Sequence, residues 1–180
     1  MTAAKKYLPH YTVSDYQQWE GDWELWQGIA VSMSPGPFGR HQAAAKRLLI
    51  LLDNELRRSN CQAEVIHEMD WIVSDDTVVR PDVVVLCDGV PDRYIETTPA
   101  VVAEVLSDST RGRDTTYKRD LYDELGVEVY VLIDPDVQTL EIYRRDTSGN
   151  WQGESVTDSV MFSVCSGCEL RLTRTALFAP

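Results

Sequence analysis

Residues 80–122 read RPDVVVLCDGVPDRYIETTPAVVAEVLSDSTRGRDTTYKRDLY, and their pattern of apolar and charged positions decides the fold. Val83 to Leu86 and Val101 to Leu106 are short β-branched runs, which suit buried strands better than surface helices. In the second run Val102, Glu104 and Leu106 share one face, and Val101, Ala103 and Val105 the other. Glu104 is therefore an acid inside an apolar strand. Burying it costs several kcal/mol unless it is paired, protonated or metal-bound. Asp82 opens the first run just after Pro81, a position where a strand tolerates proline. Pairing the runs across the intervening loop brings the two acids together. Such neighbours repel unless a cation or proton lies between them, and a hard cation such as Mg²⁺ suits all-oxygen ligands.

Outward from this pair, the spacing predicts a helix from about Arg113 to Leu125. Asp114, Lys118, Leu121, Tyr122 and Leu125 fall on one face of it. Lys118 thus points at the sheet, where a lysine needs a counter-charge. Glu104 or a bound phosphate would supply one. An i,i+4 pair with Asp114 and a snorkelling tip is the plainer alternative.

Upstream, Thr12 or Ser14 can cap a short helix through Trp19, with Gln17 three residues after Ser14. DWELWQGIAVSMSP reads as a hairpin turning at Gln27-Gly28, with Glu24 in its first strand. SPGPFGR reads as a loop, and His41 opens a long helix to about Arg58 with an apolar stripe from Ala44 to Leu56. His41 can orient a water, touch a phosphate or hydrogen-bond Glu24, or it can be purely structural. His10 is expected at the surface and His67 within a strand. Residues 65–73 alternate as one half-buried strand. Downstream, Gly126 stops the helix, EVYVLIDP is another buried strand, and TLEIYRR is an alternating one. One or two further strands and a terminal helical segment are expected.

The 180 residues suit one domain, 1–180, with a sizeable core. No apolar run reaches transmembrane length and the first residues lack a signal-peptide core, so no membrane association and a cytoplasmic protein are expected. The four cysteines do not form a dense framework, so reduced thiols are expected. Cys165-Ser-Gly-Cys168 lacks the second pair that structural zinc needs and reads as a turn with two incidental cysteines. The net charge of −12 disfavours tight, unassisted binding to duplex nucleic acid. A local basic rim from Arg40, Arg57, Arg58, Arg111 and Arg113 is still compatible with weak or assisted binding.

RPDVVVL, AEVLSDST, RDTTYKRDLY, GVEVYVLIDP, WELWQG and the histidine opening the long helix occur in this order over most of the chain. In that order and spacing they resemble the Uma-type restriction-endonuclease family, a branch of the PD-(D/E)XK nuclease superfamily. The resemblance implies an α/β, restriction-endonuclease-like fold: a mixed central β-sheet flanked by helices. It also implies a Mg²⁺ or Mn²⁺ site at Asp82 and Glu104, aided by the Val105 carbonyl, and a glutamate near it at Glu24. The superfamily pattern places a lysine two residues after the second acid, where this chain has Leu106. The resemblance suggests that the ammonium has moved to Lys118. The implied activity is phosphodiester hydrolysis of nucleic acid, with DNA first, catalysed by Asp82, Glu104 and Lys118 with Glu24 and His41 alongside. A catalytically inactive interaction protein, or a phosphoesterase acting on single-stranded or small substrates, would fit the same residues. Exposed edge strands and the resemblance make a homodimer an expectation.

Overall fold

The computed structural model describes residues 8–33 and 39–179. A six-stranded sheet, ordered β10-β9-β8-β7-β6-β3, forms the centre. Its strands are β3 (Glu64–His67), β6 (Val83–Leu86), β7 (Val101–Val105), β8 (Val129–Asp134), β9 (Thr139–Arg145) and β10 (Trp151–Ser155). β7 and β8 pair in parallel and the other neighbours are antiparallel, so the sheet is mixed. β6, β7 and β8 are buried along their whole length, as unbroken β-branched runs require.

Both faces of this sheet are covered. Val83, Val85, Val101, Ala103 and Val105 pack with Leu48, Leu52 and Leu56 of helix α2 (Gly39–Arg58). The hairpin of β11 (Ser159–Val164) and β12 (Cys168–Thr173) joins the same layer through Phe162, Leu170 and Leu172. Val84, Val102, Leu106 and Tyr130 face the opposite layer, with Trp71, Leu121 and Tyr122. That layer is carried by the helix of residues 111–124, the parallel crossover between β7 and β8. Expected as plain α-helix, it has α-helical ends, Arg111–Arg113 and Arg119–Glu124, around a π-helical turn, Asp114–Lys118.

A second sheet, ordered β2-β1-β5-β4, leans on one end of the first. It contains β1 (Trp23–Trp26), β2 (Ile29–Ser32), β4 (Trp71–Ser74) and β5 (Thr77–Val79). The β1–β2 turn falls at Gln27 and Gly28 as expected. Both have positive φ, which suits a type I′ turn, and a Cβ at Gly28 would meet the His10 ring.

Several expectations need correction. The alternating run 65–73 is two strands, β3 and β4, in different sheets. Glu68, at φ 49°, breaks the extension, so Val65 packs in one layer while Met69, Trp71 and Val73 pack in the other. The first helix (Val13–Tyr16) is shorter than expected, and its capping box joins Thr12 to Asp15 and does not involve Gln17. Helix α2 begins at Gly39, so Gly39 and Arg40 of the expected loop are helical, and residues 34–38 lie outside the described residues. The C-terminal region holds β10, β11 and β12 before a helical turn, Arg174–Leu177.

The cysteines are the largest departure. Cys61 is bonded to Cys168 and Cys87 to Cys165, with Cα–Cα separations of 5.6 and 5.3 Å. Residues 165–168 do form the β11–β12 turn, but neither cysteine is incidental. Each one fastens the hairpin to the central layer, with partners 107 and 78 residues away in sequence. Among the described residues no helix is long and apolar enough to cross a membrane.

Candidate active site

Val83 pairs with Ala103, so Asp82 and Glu104 come next across the β6–β7 ladder. The Asp82 backbone N–H donates to Glu104 Oε2 at 3.4 Å, and the Val105 N–H donates to Asp82 Oδ2 at 2.7 Å. The same Oδ2 lies 3.3 Å from His41 Nε2. Asp82 keeps 19 % of its side chain open to solvent, whereas Glu104 is buried. The two acids thus sit together at the carboxyl end of β7, one of them within reach of solvent.

Lys118 enters from the π-helical turn. This turn brings both Asp114 and Lys118 inward, and wide turns of this kind are frequent at functional sites. The ammonium donates to Glu104 Oε1 at 3.0 Å and lies 2.9 Å from Glu24 Oε1, with Asp114 Oδ1 at 3.8 Å. Glu24 is held from the second sheet: the Arg80 N–H donates to its Oε1 at 2.9 Å and the Trp26 indole N–H to its Oε2 at 3.1 Å. Tyr122 Oη donates to Glu104 Oε1 at 2.8 Å. The Trp26 ring stacks on Tyr117, with centroids 4.2 Å apart.

The expected residues therefore meet, with different pairings in detail. Glu24 is buried against Lys118. His41 contacts Asp82, not Glu24. Lys118 does not snorkel, and its nearest partners come from β1 and β7; Asp114 is more distant. At Val105 the group seen at the site is the backbone N–H, which fixes Asp82. Asp114 was foreseen only as a partner for Lys118, and Tyr122 only as a member of the buried stripe. An acid one turn before an inward lysine on the same face was the signal for the first.

The electrostatics follow from burial. Three carboxylates, Glu24, Glu104 and Asp114, surround the Lys118 ammonium, and a fourth, Asp82, lies next to Glu104. Burial pushes Glu104 well up; Lys118 opposes the shift, and Asp114, Asp82 and Glu24 add to it. Burial likewise raises Asp114 to about 6, against the pull of Lys118. Burial alone would lower Lys118, but Glu104, Glu24 and Asp114 outweigh it and hold the side chain as a firm ammonium. For His41 burial also works downward. The hydrogen bond and charge of Asp82, with the Val105 backbone, carry the net shift upward.

The cluster accordingly has more negative charge than its own cations offset. Among the described residues no three His, Cys, Asp or Glu side chains are grouped to hold a metal ion. What Asp82 and Glu104 could offer a divalent cation is two carboxylates. Glu104 Oε1 is occupied by Lys118 and Tyr122, which leaves Oε2 with a single long hydrogen bond. Asp82 Oδ1 has no hydrogen bond among the described residues. One or two carboxylates with retained waters is the ordinary binding mode of Mg²⁺.

Residues 13–175 match the family model Uma2, described as "Putative restriction endonuclease". The chain belongs to the Uma2 family. A protein of Synechocystis, "Uncharacterized protein slr1290", is 28 % identical over 151 residues, which is 80 % of this chain and 79 % of that one. A crystal structure of "a putative nuclease belonging to DUF820" from Anabaena variabilis superposes with a TM-score of 0.75, covering 94 % of this chain and 98 % of that one. At 21 % identity, that likeness shows the fold: a mixed α/β architecture of sheets flanked by helices. The matched span contains both sheets and the helix of residues 111–124.

Proposed function

We propose that this Uma2 member, a single restriction-endonuclease-like domain, is a divalent-metal-dependent nuclease that hydrolyses phosphodiester bonds at the Asp82–Glu104 site. The observation that carries this reading is the meeting of Asp82 and Glu104 at the end of β7 with the buried Lys118 ammonium, in a cluster short of positive charge. Asp82 Oδ1, Glu104 Oε2 and the Val105 carbonyl would hold Mg²⁺ or Mn²⁺. Such an ion acidifies water and offsets charge on the phosphoryl oxygens.

The chain's own groups divide the remaining work. Lys118 stays protonated, so it serves as a fixed positive charge and donor and not as a base. It orients the attacking water or screens the charge that develops as the water oxygen bonds to phosphorus and the ester P–O bond breaks. Glu24 holds that ammonium from the far side, and Tyr122 fixes the Glu104 oxygen that Lys118 uses. His41 and the Val105 N–H orient Asp82. With DNA the first candidate, the acidic chain is expected to bind duplex weakly or with assistance. A homodimer paired along an edge strand belongs to the same reading; light scattering should return the mass of two chains. A cytoplasmic location, where nucleic acid is accessible, belongs to it as well and would expose the two cystines to reduction.

The decisive experiment offers duplex, single-stranded and branched nucleic acids with Mg²⁺ or Mn²⁺ to the wild type and to Asp82→Ala. Metal-dependent cleavage lost with Asp82 is expected, together with a Mn²⁺ calorimetric signal lost in the same variant. Full activity in Asp82→Ala would overturn the assignment. The net charge of −12 favours a second reading, an interaction module on the nuclease scaffold. It predicts no cleavage of any substrate and a surface that works without metal.

A further inference from the structure

A groove of about 590 Å³ begins one residue from His41. Arg40 and Arg47 of α2 form one wall, and Pro135, Asp136 and Phe178 the other. Arg40 and Arg47 are seven residues apart, two helical turns, so they line one side about 10 Å from each other. The groove lies beside the candidate active site, through the chain neighbours of Arg40 and Pro135. His41 touches Asp82, and Pro135 follows Asp134, which ends β8 beside β7 and binds Arg111 at 2.6 Å.

The charge here runs against the composition of the whole chain. At the other end of α2, Arg57 and Arg58 are bound to Asp53 and Glu55 of the same helix. Among the described residues Arg40 pairs with the exposed Asp136 alone, at 3.3 Å. Exposed pairs of that kind are worth little, so a phosphate can displace the carboxylate. Phe178 adds an aromatic surface. Its ring is half-buried beneath the Arg174 guanidinium, which lies 5.8 Å from the ring centre, while Arg174 Nε donates to the Gln138 carbonyl at 2.8 Å.

A cationic track beside an aromatic ring is the combination that holds single-stranded nucleic acid: the cations follow phosphates and the ring stacks an unpaired base. In a duplex the bases are paired and cannot reach such a ring. We infer that this groove binds a single-stranded segment next to the phosphodiester that is cut, with Arg40 and Arg47 on its phosphates and Phe178 against a base. This rests on the nuclease reading and narrows its substrate class to nucleic acid that is single-stranded beside the cleavage point.

Fluorescence polarisation tests it on the full chain, using a fluorescein-labelled oligonucleotide as a single strand and as a duplex, with Ca²⁺ in place of Mg²⁺. The single strand should bind more tightly than the duplex. Arg47→Glu should weaken single-strand binding about tenfold and reduce the salt dependence by about one phosphate contact. Phe178→Leu keeps apolar bulk under Arg174; it should weaken binding about fivefold without changing the salt dependence. Mn²⁺ affinity by calorimetry should be unchanged in both variants. Arg93→Glu, the same charge change on a remote loop, should bind as the wild type does. Equal or tighter duplex binding, or an Arg47→Glu variant indistinguishable from Arg93→Glu, would overturn the groove assignment while leaving metal-dependent cleavage intact. Absence of both cleavage and binding with every nucleic acid would overturn the nuclease reading, and the groove assignment with it.

Discussion

Lys118 is buried between Glu24 and Glu104 at 2.9 and 3.0 Å, and removing it would strand both acids. Lys118→Met should lower the unfolding free energy of the metal-free chain by about 3–5 kcal/mol, measured by urea titration. Adding Glu24→Gln to that variant should recover part of the loss, because one stranded charge then disappears. Asp114 gives a second prediction. A carboxyl raised on folding stabilises the fold at low pH, and that contribution is lost as pH rises from near 3.8 through its folded value of about 6. Glu104, also raised, acts in the same direction. Asp134, lowered despite its burial by Arg111 and two backbone N–H groups, acts oppositely and limits stability in strong acid. In EDTA the melting temperature should therefore fall between about pH 4 and pH 6. Asp114→Asn should flatten that fall; a slope unchanged in the variant would mean that Asp114 is not the group responsible. At this scale much was legible in the sequence, because an acid or lysine at an apolar periodic position must have a partner. Which partner was not: His41 was as free to meet Glu24 as Asp82 until the sheets were placed.

Among elements, the β1–β2 hairpin has no candidate metal ligand, yet it positions the ammonium. The Trp26 indole holds Glu24, and its ring lies on Tyr117, immediately before Lys118. Trp26→Phe keeps a ring for the stack and loses the indole N–H. It should reduce kcat while leaving Mn²⁺ affinity within about twofold, a separation that single-turnover kinetics and calorimetry can read. Its effect should also not add to that of Glu24→Gln, since both act through one carboxylate. The strands around the site were readable from their β-branched runs, as was the α2 stripe. The π-helical turn was not, because one extra residue per turn leaves the apolar spacing almost as an α-helix would have it. The division of residues 64–74 between two sheets was hidden for a related reason. The apolar alternation of the sequence runs straight through Glu68, although the chain turns there and Val65 faces the layer opposite to Met69, Trp71 and Val73.

The whole molecule is held by connections that span long stretches of chain. Both cystines fasten the β11–β12 hairpin, a two-stranded ribbon that would be marginal alone. Protein purified in air should react with no maleimide when unfolded without reductant, and with four equivalents after dithiothreitol. Reduction should cost about 4–5 kcal/mol for each bond in the chain-entropy estimate, less where the two loops overlap. Spacing gave no hint of this pairing, since neither partner is local. A longer reach also assembles the site. The Arg80 N–H meets Glu24 across 56 residues, and its guanidinium joins Asp70 and Asp22 at the junction of the two sheets. Lys118 gains its second carboxylate only when the N-terminal sheet has docked onto the central one. Docking should therefore come late in refolding, behind a central sheet already formed around β7 and β8, and a stopped-flow record of Trp26 fluorescence should lag the growth of backbone circular dichroism.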